Sequence, residues 1–228
     1  MSIFKTVELP CPTCATRVSF ELVHSVNADR RPDLRQAVLD GTFQREQCPA
    51  CGLAFRVEPE FTYIDVGRGQ FITVWPLSKQ GDWKAIEQQS QAMFDKSFGK
   101  GATPEARKIG DKLALRVVFG WEALNEKLIA AEHGVDDRAL ELVKVGAMRN
   151  ADSIPVGPGF ELRLVSVRGD ALNLCWIEHP AAELTHVLGV PRAAVAEILA
   201  EPGPWQELRD EIAAGSYVDY RRALMPTT

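Results

Sequence analysis

The chain has 228 residues, of which 46% are hydrophobic and 25% charged, ordinary for a globular protein and enough for a sizeable core and two domains. Its net charge of −5 argues against nonspecific nucleic-acid binding, which rests on many Lys and Arg contacts to phosphate, and basic and acidic side chains nearly balance within residues 1–75. The opening Met-Ser-Ile-Phe-Lys-Thr-Val-Glu lacks a signal-peptide apolar run, and the apolar stretch 113–121 is broken by Arg116 and too short for a membrane span, so a soluble, cytoplasmic protein with reduced thiols is expected.

The first 75 residues read as β-rich. Apolar and polar residues alternate over 3–9 and again through Val18, Phe20 and Leu22, and Leu53, Phe55 and Val57 repeat the pattern after a cysteine pair. Residues 32–41 carry an N-terminal proline and a terminal glycine, which predicts a short helix. Asp65-Val-Gly-Arg-Gly69 predicts a hairpin turn feeding a strand over 70–75. A polar, turn-rich stretch over 76–82 marks a boundary, and the period then becomes helical.

Trp83, Ile86, Met93, Phe94 and Phe98 fall on one helical stripe. Thr103-Pro104 is a cap followed by a proline suited to a first turn. Leu124, Leu128 and Ile129 mark another helix, stopped at Gly134, and Asp136 caps the next, whose inner face carries Leu140, Val143 and Ala147. Pro155-Val-Gly-Pro-Gly159 is a break. Two strands follow over 160–167 and 171–177, then helices over 181–188, 191–200 and 204–214, and 217–222 is expected to return as a final strand.

Two motifs carry chemistry: Cys-Pro-Thr-Cys at 11–14 and Cys-Pro-Ala-Cys-Gly at 48–52. Two residues between cysteines let both thiolates of one tight turn face the same point, and proline pre-sets that turn. Gly52 suits the positive φ such knuckles need after the second cysteine, whereas the first knuckle has Ala15 there. Together Cys11, Cys14, Cys48 and Cys51 supply the four soft anionic ligands of a closed tetrahedral zinc site, predicting a structural zinc ion and no position for substrate. Rubredoxin-like iron uses the same ligands. A redox dithiol is a poorer fit, since it usually occurs as one pair at a helix start. The segment 15–47 between the pairs exceeds the usual ribbon spacing of about 15–20 residues, and the helix over 32–41 accounts for the excess. Cys175, inside Leu-Cys-Trp-Ile, reads as a core cysteine.

The paired Cys-Pro-x-Cys knuckles, the inserted helix and the strand after Cys51 resemble the CpXC domain, a bacterial and archaeal family named for that motif. The resemblance covers roughly residues 1–120, with weaker likeness in Arg-Val-Val-Phe-Gly at 116–120 and in the segment 134–144. It implies metal binding and fold through the four cysteines, and no substrate.

The segment 182–199 is similar to a DNA-binding helix-turn-helix, with Leu184, Leu188, Val190, Val195 and Ile198 at its buried positions and Gly189 at its turn. Its second helix offers only Arg192 and Glu197 as polar side chains, and acidic groups outnumber basic ones from 183 to 215, so an amphipathic helical hairpin is the favoured reading. No serine-hydrolase, metalloprotease, phosphate-loop or dinucleotide motif occurs. His24 lies on a strand as an optional neighbour of the first knuckle, His133 stands apart, and His179 and His186 share a helix only if Pro180 does not start it. Asp136-Asp137 reads as a cap, and Glu207, Asp210 and Glu211 as a solvated face.

The expected class is α+β. A zinc-ribbon-like antiparallel β module with a helical insertion occupies residues 1–76, followed over 77–228 by a mostly helical α+β domain with a C-terminal β-hairpin and helices. The expected function is a zinc-stabilised binding or scaffold protein with a protein partner. The alternative is nucleic-acid binding through 182–199 or the zinc module, and an enzyme is the least favoured reading.

Overall fold

A computed structural model of the chain describes residues 2–149, 159–179, 183–200, 203 and 205–224. They are α+β, divided into two compact units, Met1–Leu124 and Asn125–Thr228. Residue 76 therefore falls inside the first unit.

In the first unit, β1 (Ile3–Pro10) and β2 (Arg17–Asn27) form an antiparallel hairpin, with Val7 opposite Phe20 and Pro10 opposite Arg17. The inserted helix α1 (Pro32–Leu39) starts on Pro32 and ends before Gly41, whose φ of 70° ends the helical path. A short antiparallel pair, β3 (Arg45–Gln47) and β4 (Ala54–Arg56), follows. The Asp65–Gly69 turn joins β5 (Phe61–Asp65) to β6 (Gln70–Trp75), as its residues predict. Gly69 is required there, because a Cβ would lie 2.8 Å from the Lys112 carbonyl oxygen.

Every residue of β6 is buried, which a strand covered on both faces demands. After a 3-10 turn at Leu77–Asp82, α2 (Trp83–Ser97) lays its apolar stripe on the sheet. Phe94 and Phe98 pack edge-on to Phe71 at 5.2 and 5.7 Å between centroids, and the hydroxyls of Thr73 and Ser90 meet at 2.8 Å. Thr103 caps α3 (Pro104–Gly110) by accepting from the Ala106 N–H at 3.3 Å. The apolar stretch that follows is β7 (Ala114–Phe119), parallel to β6. The main sheet thus runs β1-β2-β5-β6-β7 and is mixed: β2–β5 and β6–β7 are parallel, and the β2–β5 pairing departs from the antiparallel module expected over 1–76. A parallel partner needs a long crossover, which α2 and α3 provide.

Helix α4 (Trp121–Glu132) begins in the first unit and ends in the second, stopped by Gly134 at φ 62°. Asp136 caps α5 (Asp137–Arg149), accepting from the N–H groups of Arg138 and Ala139 at 3.0 and 2.8 Å. The predicted hairpin is β8 (Phe160–Arg168) and β9 (Ala171–Glu178), with Gly169 at φ 56° in its turn. Of the predicted break before it, only Gly159 lies among the described residues.

The next segment overturns an expectation. Residues read as a helix form β10 (Glu183–Pro191), antiparallel to β9, so the sheet order is β10-β9-β8 and there is no first helix of a helix-turn-helix. Leu184 and Leu188, expected at buried positions, are 62% and 39% exposed. Helices α6 (Ala193–Ala200) and α7 (Gln206–Ala213) follow as predicted. Arg192 reaches back to the carbonyl oxygens of His133 and Gly134, capping the C-terminal end of α4. The final strand expected over 217–222 is not formed: the chain runs without regular structure through 217–219 into a 3-10 turn, Tyr220–Leu224. It is nevertheless buried, with Tyr217, Val218 and Tyr220 at 1–3% exposure.

Beside an apolar core of α5, β8, β9 and the terminal segment, the second unit buries an ionic one. Lys144 Nζ lies 2.9 Å from Glu126 and 2.7 Å from Glu141, all three fully buried. The Arg163 guanidinium bridges Glu126 at 3.0 Å, Glu161 at 2.7 Å and Asp219 at 2.8 Å. Lys127 donates to the Val218 carbonyl at 2.8 Å, and Glu141 accepts from the Tyr220 N–H at 2.9 Å, so buried charges hold the terminal segment by its backbone. Unpaired, each such charge would cost several kcal/mol, on the order of the whole stability of a domain.

Candidate metal centre

The two Cys-Pro-x-Cys motifs sit at the tips of two hairpins. Cys11–Cys14 turns β1 into β2, and Cys48–Cys51 turns β3 into β4. The turns are built alike. The N–H of Cys11 donates to the Thr16 carbonyl and that of Cys48 to the Leu53 carbonyl, both at 2.8 Å. The N–H of Ala15 returns to the Cys11 carbonyl and that of Gly52 to the Cys48 carbonyl, both at 2.9 Å. Such a turn ends in the left-handed region, and Gly52 has φ 74° while Ala15 has φ 59°. The departure noted at Ala15 is therefore a strained residue in an otherwise equivalent turn.

Beneath the tips, Cys11, Val18, Phe20 and Cys48 form a small buried cluster flanked by Val7, Leu9, Leu22, Phe55 and Val57. The rings of Phe20 and Phe55, one from each hairpin, lie 5.1 Å apart. The strand alternation seen in the sequence is what points these side chains at one another.

All four sulfurs lie within 4.8 Å of one another. Two close pairs cross from one knuckle to the other: Cys11–Cys51 at 3.6 Å and Cys14–Cys48 at 3.5 Å. A tetrahedral ion with bonds of about 2.3 Å sets its sulfurs roughly 3.8 Å apart, close to this spacing. Disulfide sulfurs stand about 2.05 Å apart, and all five cysteines are free. Cys11 and Cys48 are buried, Cys14 and Cys51 exposed.

The electrostatics fit a cation at the centre. The Thr16 hydroxyl, 3.3 Å from Cys14 Sγ, and the Thr16 N–H favour the Cys14 thiolate and bring its pKa down to about 6. The backbone N–H of Cys14, with that of Thr13, lowers Cys11. At Cys51 the Leu53 N–H also favours the thiolate, but local loss of hydration and the three neighbouring sulfurs prevail and push it up to about 12. Four thiolates so close together repel, and a dication removes that conflict. The set can hold a metal ion, and its all-sulfur chemistry is consistent with zinc.

The other sequence candidates disperse. His24 is exposed on β2, roughly 23 Å along the strand from Arg17 at 3.3 Å per residue, so it is not a neighbour of the first knuckle. His133 and His186 are exposed. His179 Nε2 lies 2.7 Å from Glu161 Oε1 on the β8–β9 hairpin and shares no helix with His186. Asp136 is a cap and Asp137 pairs with Lys127 at 3.1 Å, while Glu207, Asp210 and Glu211 are exposed. Cys175 is buried, its thiol donating to the Trp176 carbonyl at 3.4 Å. Thr16 was missed by sequence reasoning. Its signal is a hydroxyl two places after the second cysteine of a knuckle.

No helix among the described residues is long and apolar enough to cross a membrane. No curated protein and no solved structure matches the chain. The family model described as CpXC protein matches residues 9–144, spanning both knuckles, the main sheet from β2 to β7 and most of α5. With both knuckles in place within that span, the chain belongs to the CpXC family.

Proposed function

We propose that Cys11, Cys14, Cys48 and Cys51 hold one structural zinc ion, and that the protein is a non-catalytic binding or scaffold protein acting on a protein partner. The observation that carries the reading is the convergence of four sulfurs from two hairpin tips. Four thiolates complete a tetrahedral shell and leave no coordination position for water or substrate, which is the arrangement of structural rather than catalytic zinc. The cluster the hairpins share is small, so the ion supplies much of what ties them together. The tips themselves reach solvent, with Leu53 36% exposed beside Cys51, and offer a partner a rigid apolar and backbone surface.

The experiment is a native pull-down at endogenous level with the wild-type chain and with Cys48→Ser. A discrete partner retained by the wild type and lost with the variant supports the reading. Recovery of the wild-type chain alone, together with turnover of a defined substrate, rejects it.

A further inference from the structure

The four sulfurs are not equivalent. Each knuckle contributes one exposed sulfur, Cys14 or Cys51, and one buried sulfur, Cys11 or Cys48. Two close contacts cross between the knuckles, and both join an exposed sulfur to a buried one, Cys51 to Cys11 at 3.6 Å and Cys14 to Cys48 at 3.5 Å. An oxidant from solvent therefore meets one sulfur of each pair first, with that sulfur's resolving partner already on the opposite hairpin.

From this pairing we infer that the site is a redox-responsive zinc clamp, in which hydroperoxide exchanges the metal cross-link for two disulfides, Cys11–Cys51 and Cys14–Cys48. The inference rests on the zinc reading above. The step balances as follows. The exposed thiolate attacks one oxygen of the hydroperoxide; the S–O bond forms, the O–O bond breaks, and the departing oxyanion takes a proton from solvent. The buried thiolate of the same pair then attacks that sulfur; the S–S bond forms, the S–O bond breaks, and hydroxide leaves. Each pair gives up two electrons to one hydroperoxide, so two hydroperoxides convert four thiolates into two disulfides, and the sulfurs lose their hold on the ion.

The geometry gives the exchange a particular outcome. Disulfides within a knuckle, Cys11–Cys14 and Cys48–Cys51, would leave the two tips untied. Cross-knuckle disulfides keep the tips joined, so the module changes its tether without falling apart, and a thiol reductant restores the sulfurs.

The test uses full-length, zinc-loaded protein titrated with hydrogen peroxide. Released zinc is read with a chromogenic chelator, and disulfides are mapped by mass spectrometry of the unreduced digest. The expected result is complete release at about two peroxides per zinc, linked peptides 11–51 and 14–48, a cooperative unfolding transition that survives peroxide but not chelation under reducing conditions, and rebinding of zinc after reduction. Zinc that stays bound under excess peroxide, linkage within the knuckles, or irreversible oxidation beyond the disulfide would overturn the inference and leave the zinc reading standing. A preparation that carries no zinc overturns both.

Discussion

The paired knuckles contain their own control experiment, because one turn uses glycine and the other alanine at the same left-handed position. Ala15 sits at φ 59° and Gly52 at φ 74°. The left-handed region costs a non-glycine residue roughly 1–2 kcal/mol, and glycine gives back about 0.4–1 kcal/mol through the greater freedom of the unfolded chain. Ala15→Gly should then stabilise the folded knuckle by about 1 kcal/mol. Gly52→Ala should destabilise its knuckle by a similar amount and for conformational reasons alone, since a Cβ there would meet nothing nearer than Gln47 Nε2 at 3.9 Å. The turns must fold to gather the sulfurs, so the strain should appear in zinc affinity as roughly a fivefold gain for the first variant and a fivefold loss for the second. Competition with a chromogenic chelator at fixed pH and temperature measures both. Affinities that move in the same direction, or a weaker Ala15→Gly site, would refute the equivalence of the two turns.

Other perturbations reach different parts of the molecule. Lys144→Met removes the cation shared by buried Glu126 and Glu141 and should cost about 3–5 kcal/mol in denaturant unfolding, far more than a surface lysine. Glu161 is held down to about 2 because Arg163 and Arg221 outweigh the effect of its burial, so it binds its proton less tightly folded than unfolded. Its contribution is present above the unfolded value near 4.3 and is lost as pH falls toward 2; Asp219, also lowered, acts with it, while burial raises Glu141, which acts with the opposite sign. An acid titration of the thermal transition should therefore fall steeply below about pH 4. Arg192→Ala removes the cap on α4 and should cost about 1 kcal/mol in the same unfolding assay, with no other change in fold.

What was legible in the sequence is what is local. A Cys-Pro-x-Cys turn, the Asp65–Gly69 hairpin, the Thr103-Pro104 cap and the Gly134–Asp136 stop each depend on a few adjacent residues, and each forms as its residues dictate. The strand β10 was misread because Leu184, Leu188 and Val190 also suit a helical stripe. The ladder to β9, a tertiary effect, decided otherwise, in keeping with β-branched Thr185, Val187 and Val190. β7 is a short apolar run whose period is ambiguous, and its parallel pairing with β6 depends on a crossover that no local pattern encodes. The segment 217–222 alternates as a strand does, yet it is held by Lys127 and Glu141 rather than by a neighbouring strand. The buried charges were the least legible element. Glu141 and Lys144 stand one place after Leu140 and Val143, and only the convergence of Glu126, Arg163 and Asp219 from distant positions turns an ordinary solvated pattern into an internal network.

The central claim is that a single zinc ion joins the two knuckles, and metal stoichiometry tests it most directly. Elemental analysis of full-length protein purified without added metal or chelator should give one zinc per chain, and the same preparation of Cys48→Ser should give far less. Wild-type protein with no bound metal, with iron in zinc's place, or with zinc that persists undiminished in Cys48→Ser would contradict the account.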